Sequence, residues 1–208
     1  IFDCDGVVVD SEPLAFSILA ADLAAHGLTL SHAEISRLFL GGTVRELFKT
    51  ARNLGATLPD GWPDHFYDRL YARLAEGAPL IPGILPLLDR LDAEGIPYAI
   101  GSNGSDRKMQ ITLGQHPGLI ARFKGHLYSG QTLGKPKPAP DLYLHAARAL
   151  GVAPARCVVI EDSPTGARAA KAAQIRCYGY APEGNPALAA EGAILFQGMD
   201  DLPALLDL

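Results

Sequence analysis

Six short apolar runs, separated by stretches of helical periodicity, limit what this chain can build. They are Ile1–Cys4, Tyr98–Ser102, His126–Ser129, Val158–Glu161, Cys177–Tyr180 and Ala193–Phe196. Runs of this length, bounded by polar residues or glycine, read as strands buried on both faces. Between most of them lie patterns such as Ile84, Leu85, Leu87, Leu88, Leu91 and Leu142, Leu144, Ala146, Ala147, Leu150, whose spacing follows turns of about 3.6 residues. Strands alternating with helices predict an α/β protein with a parallel sheet and right-handed crossovers. One interval breaks the rhythm. From Glu12 to Leu80 no strand is expected, only helices around Leu14–His26, His32–Leu40, Val44–Leu54 and Pro63–Glu76. An insertion closed by Pro79 and Pro82-Gly83 reads as a small helical domain over the sheet's carboxyl edge. The expected division is residues 1–11 and 81–208 as the α/β core and residues 12–80 as the helical domain.

A chain of 208 residues can hold one sizeable core with such an insert. It opens without methionine, inside an apolar run, so the first strand is expected to extend upstream. The net charge of -5 argues against nucleic acid as a partner. No apolar run approaches the roughly 20 residues that span a bilayer, and no signal-peptide pattern is present. A cytoplasmic protein without a membrane partner is expected. Cys4, Cys157 and Cys177 sit in apolar contexts and fit reduced thiols.

Four carboxylates stand where two of the strands end: Asp3 and Asp5 after the first, Glu161 and Asp162 after Val158-Val159-Ile160. Open parallel sheets bind ligands at the carboxyl ends of their strands. If these strands are neighbours the carboxylates converge, and like charges held together call for a cation; hard oxygen donors suit Mg²⁺. Asp3 and Asp5, two apart, share a face. Gly6 allows a sharp turn, and Ser11 can cap the first helix of the insertion. Rival chemistries lack their residues. No Arg follows any cysteine at the Cys-x5-Arg spacing, Gly130-x-x-x-Gly134-Lys135-Pro136 is one residue short of a P-loop, and His26, His65, His116 and His145 show no zinc spacing.

The string Asp3-x-Asp5-Gly6-Val7-x-x-Asp10-Ser11-Glu12 resembles the first motif of the haloacid dehalogenase superfamily, in the phosphatase and β-phosphoglucomutase-like branch with a helical cap inserted after the first strand. Ser102, Lys137-Pro138-Ala139-Pro140-Asp141 and Glu161-Asp162-Ser163-x-x-Gly166 follow in the family's motif order. The resemblance covers essentially the whole chain and implies a Rossmann-like core with a mostly α-helical cap domain. It implies Asp3 as nucleophile through an aspartyl-phosphate, Asp5 as acid and then base, and Lys137 as the cation beside them. Ser102, with Asn103, is implied to bind phosphate; from the residues alone, a helix N-cap at Ser102 or Ser105 is as good a reading as phosphate binding. Lys135-Pro136 precedes Lys137 in the same style and reads as a loop lysine.

The implied Mg²⁺ ligands are Asp3, Asp5 through its backbone carbonyl, Asp162, and Glu161 either as a further ligand or as an outer partner. Arg45, in a Gly-x-x-x-Arg-like cap loop, is implied to reach substrate, with an exposed helix arginine as the alternative; Arg69 and Arg73 are weaker candidates of the same kind. Phosphomutases of this branch carry a histidine where Ala15 stands here, which favours hydrolysis over a mutase. The resemblance thus implies a phosphatase, monomeric or weakly dimeric, acting on a small phosphorylated metabolite such as a sugar phosphate or phosphorylated sugar acid. Its rivals are a β-phosphoglucomutase-type enzyme and a catalytically silent binding protein on the same fold.

Overall fold

Among the described residues, four helices fill the interval from Glu12 to Leu80. A computed structural model describes residues 1–39 and 43–208; the expected end of the second helix at Leu40, and Gly41-Gly42 before Arg45, lie outside the described residues. The helices are α1 (Glu12–Ala25), α2 (His32–Phe39), α3 (Val44–Asn53) and α4 (Trp62–Ala75). The third starts with a capping box, in which Thr43 Oγ1 accepts from the Glu46 N–H and Glu46 Oε2 accepts from the Thr43 N–H. Asp22 ties the first helix to the fourth by accepting from Trp62 Nε1 at 2.5 Å and Arg69 at 2.6 Å. Leu19, Leu23, Leu47, Phe66 and Leu70 bury their side chains in the same apolar cluster as Phe2 and Ile160 of the sheet.

The chain enters and leaves this helical segment through one narrow neck. Val9 bridges Leu80 in antiparallel fashion, the Asp10 N–H donates to Pro79 at 2.8 Å, and the Ile81 N–H donates to Val8 at 3.0 Å. Beyond it run α5 (Ile84–Ala93), β1 (Ile100–Ser102), α6 (Asp106–Gly114), α7 (Leu119–Arg122), β2 (Leu127–Ser129), α8 (Gly130–Leu133), α9 (Asp141–Ala149), β3 (Val158–Glu161), α10 (Pro164–Ala172), β4 (Arg176–Tyr180), α11 (Pro186–Ala190) and β5 (Ile194–Phe196). In α5, Ile84, Leu87, Leu88 and Leu91 are buried, as their spacing requires, whereas Leu85 faces out.

The strands pair in parallel, β1 with β2 and β3 with β4 and β5. Ile1–Cys4, expected as a strand, pairs through one residue: Phe2 bridges Ile100 on one side and Ile160 on the other. Its backbone bonds reach both neighbours, with the Asp3 N–H donating to Ile160 and the Gly101 N–H donating to Phe2, each at 2.9 Å. The segment therefore joins the two halves into one layer. From it the chain moves to β1 and β2 on one flank, then crosses to β3, β4 and β5 on the other. Asp3, Ser102, Ser129 and Glu161 all end on the same edge, at the point where the winding reverses. Among the described residues no helix is long and apolar enough to cross a membrane, and all three cysteines are buried and unpaired.

Candidate active site

Residues from both ends of the chain meet at this edge. The Lys137 ammonium donates to Asp3 Oδ1 at 2.5 Å and to Glu161 Oε1 at 2.7 Å, with all three side chains buried. Tyr143 donates its hydroxyl to the same Glu161 oxygen at 2.7 Å, and its ring lies 4.9 Å from the ammonium. The other Glu161 oxygen accepts from the backbone N–H groups of Asp162 and Ser163 and from the Ser163 hydroxyl, at 2.9–3.0 Å. Five donors on two oxygens occupy the lone pairs of Glu161. Oxygens of Asp3, Glu161 and Asp162 lie within 4.8 Å of one another. Asp162, unlike Glu161, makes no side-chain hydrogen bond or ion pair among the described residues. Gly6, at φ +77°, brings the first loop against it, and a Cβ there would stand 2.2 Å from Asp162 Oδ2.

A second lysine, unforeseen in the sequence, completes the cluster. Lys108 donates to Asp5 Oδ1 at 2.7 Å from α6. Ser105 caps that helix by accepting from the Lys108 N–H, which settles which of the two serines is the cap. Ser102 is buried at the end of β1 and accepts from the Gly104 N–H at 2.9 Å. Ser11 stands before α1, but its hydroxyl makes no capping bond; it donates to Asp5 Oδ1 at 2.5 Å. Asp5 is thus held by two donors, one from each side of the neck.

A sequence profile of haloacid dehalogenase-like hydrolases matches residues 1–174. The chain belongs to this family. A 6-phosphogluconate phosphatase of Escherichia coli (strain K12) is 32% identical over 169 residues, covering 80% of this chain and 75% of that protein. A haloacid dehalogenase-like protein of unknown function from Agrobacterium tumefaciens str. C58 superposes with a TM-score of 0.88 at 33% identity, covering 99% of this chain and 96% of the other. A family hydrolase from Deinococcus radiodurans R1, solved with bound phosphate and sodium, gives 0.80 at 35% identity over 99% and 93%. The chain is a phosphoric monoester hydrolase of the haloacid dehalogenase-like family.

Asn103, expected to bind phosphate, and Arg45, expected to reach substrate, are placed differently. The Asn103 side chain accepts from the Lys137 N–H at 2.8 Å and donates to the Lys137 carbonyl at 3.1 Å. It thereby holds the Lys137 backbone in place, and Asn103 also lines the cavity. Arg45 lies exposed on the first turn of α3 and does not line the cavity, whereas Thr43, Val44 and Leu47 around it do.

The cavity, of about 180 Å³, holds five carboxylates (Asp3, Asp5, Glu12, Glu161 and Asp162) against two ammonium groups (Lys108 and Lys137), a formal excess of three negative charges. Its pKa values reflect that crowding. Burial, reinforced by Glu161 and Asp5, pushes Asp3 up to about 7 despite Lys137. Burial and the nearby Glu12, Glu161 and Asp3 raise Asp162 well above the carboxylate range. Burial and Asp5 push Glu12 up to about 7. Burial also opposes ionisation of Asp5, but the Lys108 ammonium and the bonds from Lys108 and Ser11 outweigh it and hold Asp5 low.

Proposed function

We propose that this hydrolase uses Mg²⁺ to remove phosphate from a small phosphorylated metabolite by way of a phosphoenzyme on Asp3. The observation that carries the reading is the crowding of five carboxylates against two ammonium groups: with its carboxylates ionised the site is too negative to take a phosphate dianion unless a cation enters with it. The donors present fit a hard divalent ion. Asp3 and the otherwise unpartnered Asp162, with the Asp5 carbonyl, would hold it. Glu161, its lone pairs spent, anchors Lys137 as an outer partner. Bound there, Mg²⁺ would neutralise phosphoryl charge and orient the ester.

Lys137 fixes one Asp3 oxygen and leaves Oδ2 without a hydrogen-bond partner among the described residues, available for attack on phosphorus. The Asp3 oxygen bonds to phosphorus as the ester P–O bond breaks, and the departing alkoxide takes a proton from Asp5. Phosphate arriving beside Lys108 gives that ammonium a second anion, weakens its hold on Asp5 and raises the Asp5 carboxyl toward the protonated form. In the second half Asp5 takes a proton from water as water cleaves the acyl phosphate, restoring the Asp3 carboxylate and releasing phosphate. Ser102 and the N–H groups after it contribute phosphoryl contacts at the sheet edge. Helices α1–α4 serve as a cap over the cleft. Ala15, lining the cavity, offers only a methyl group where a phosphomutase needs an acid–base side chain.

The relative acting on 6-phosphogluconate supports sugar phosphates as the substrate class. With Mg²⁺, free phosphate should accumulate from an aryl phosphate and from a hexose phosphate, and chelator should stop it. Asp3→Asn should lower turnover on the order of 10⁴-fold while leaving the fold intact. Retained turnover would remove Asp3 as the nucleophile, and an isomerised hexose phosphate without free phosphate would favour a mutase.

A further inference from the structure

The two walls of the cavity differ in kind. The sheet side carries both ammonium groups and all the carboxylates but Glu12, which opens α1 and adds a further negative charge, whereas the rest of the helical side presents Phe16, Leu19, Val44, Leu47, Phe66 and Leu70. Hydroxyl groups on that wall come from Thr43, Tyr67 and Tyr71. Thr43 Oγ1 is taken up by Glu46 in the capping box, and the Tyr71 hydroxyl shares a hydrogen bond with Ser105 at 2.6 Å. Among the described residues no Lys, Arg or His lines the helical side. The arginines nearby stay outside the cavity lining: Arg69 pairs with Asp22 at 2.6 Å, Arg73 with Glu76 at 3.3 Å, Arg107 lies on the Tyr71 ring at 5.0 Å and pairs with Asp68 at 3.9 Å, and Arg45 is exposed.

With the phosphoryl group held on the sheet side, the alcohol portion of the ester projects toward this wall. A carboxylate or second phosphate there would lie desolvated without a counter-ion, beside a site already too negative. A polyol would exchange water for a surface with few free hydroxyls. An apolar or aromatic face would bury area and stack on Phe16, Phe66 or Tyr67.

Resting on the phosphatase reading above, we infer that the site selects a monophosphate ester whose alcohol part is uncharged and carries an apolar or aromatic face, and rejects phosphorylated sugar acids and bisphosphates. This narrows the sugar-phosphate class: a sugar phosphate without a second acid group remains a substrate, a phosphorylated sugar acid a poor one.

The test compares kcat/KM, with Mg²⁺ present, for 2-phenylethyl phosphate, glucose 6-phosphate, 6-phosphogluconate and fructose 1,6-bisphosphate. All release primary alcohols, so intrinsic reactivity differs little. The 2-phenylethyl ester should exceed 6-phosphogluconate and the bisphosphate by at least about tenfold, with glucose 6-phosphate between them. Val44→Arg, at a half-buried wall position, should shift the ratio toward 6-phosphogluconate by about tenfold or more. Equal or better use of the sugar acid or the bisphosphate by the unmodified protein would overturn this inference while leaving hydrolysis established. An unchanged ratio in the well-folded variant would count against the wall as its cause. Failure to turn over any of the four esters would overturn the phosphatase reading, and this inference with it.

Discussion

Lys108 and Gly166 show how single residues set the chemistry. Lys108 keeps Asp5 ionised through a 2.7 Å contact. Without that ammonium, burial dominates and the Asp5 carboxyl rises. Lys108→Met should therefore move the acid limb of the pH–kcat profile to higher pH, because Asp5 then reaches its basic form only at higher pH, and should lower kcat by about 10²-fold. An unmoved limb would show that the profile reports another group. Gly166 acts by having no side chain. A Cβ there would stand 1.6 Å from Glu161 Oε1, the oxygen that receives Lys137 and Tyr143. Gly166→Ala should cost about 3 kcal/mol or more in urea unfolding, in the range of mutations that break a buried network, and should depress turnover by displacing Lys137.

Helix α6 links the two layers of the molecule, since it carries Lys108 and its cap, Ser105, also bonds to Tyr71 of α4. Ser105→Ala should lower stability by about 1 kcal/mol through the lost cap. Tyr71→Phe, which keeps the cap but removes the bond between layers, should raise KM several-fold with a smaller loss of stability; a KM unchanged from that of the unmodified protein would deny the bond a part in closure. Elements of this kind were partly legible in the sequence. Helices α1, α3 and α4 begin or end within a residue or two of their apolar periodicity, Asp3, Asp5, Ser102, Glu161 and Asp162 stand at or just past strand ends marked by turn residues, and Lys137 stands in the Pro-rich loop before α9. Lys108, Tyr143 and the grip of Asn103 on Lys137 were not legible, because each depends on contacts between segments some 18 to 103 residues apart in the chain. The first strand was overread: its apolar run is real, but only Phe2 lies in ladder register with both neighbours.

At the scale of the whole molecule, the sheet gathers charges that a folded protein would otherwise keep apart. Asp3 and Glu12 at about 7, with Asp162 also raised by burial, mean that the metal-free folded state binds more protons than the unfolded chain between about pH 4 and 7. Stability should then fall as pH rises across that window. The lowered values of Asp5 and Glu161 act in the opposite sense only near and below pH 4. Because Mg²⁺ requires the ionised forms, its stabilising shift in Tm should be larger at pH 8 than at pH 5.5, with proton release on binding; a pH-independent shift would place the ion elsewhere. The most direct measurement is anomalous diffraction from crystals soaked in Mn²⁺. The account predicts one strong peak bonded to carboxylate oxygens of both Asp3 and Asp162, with Glu161 still turned toward Lys137. A peak that leaves out either aspartate, or no ion at this edge while the enzyme remains active, would contradict it.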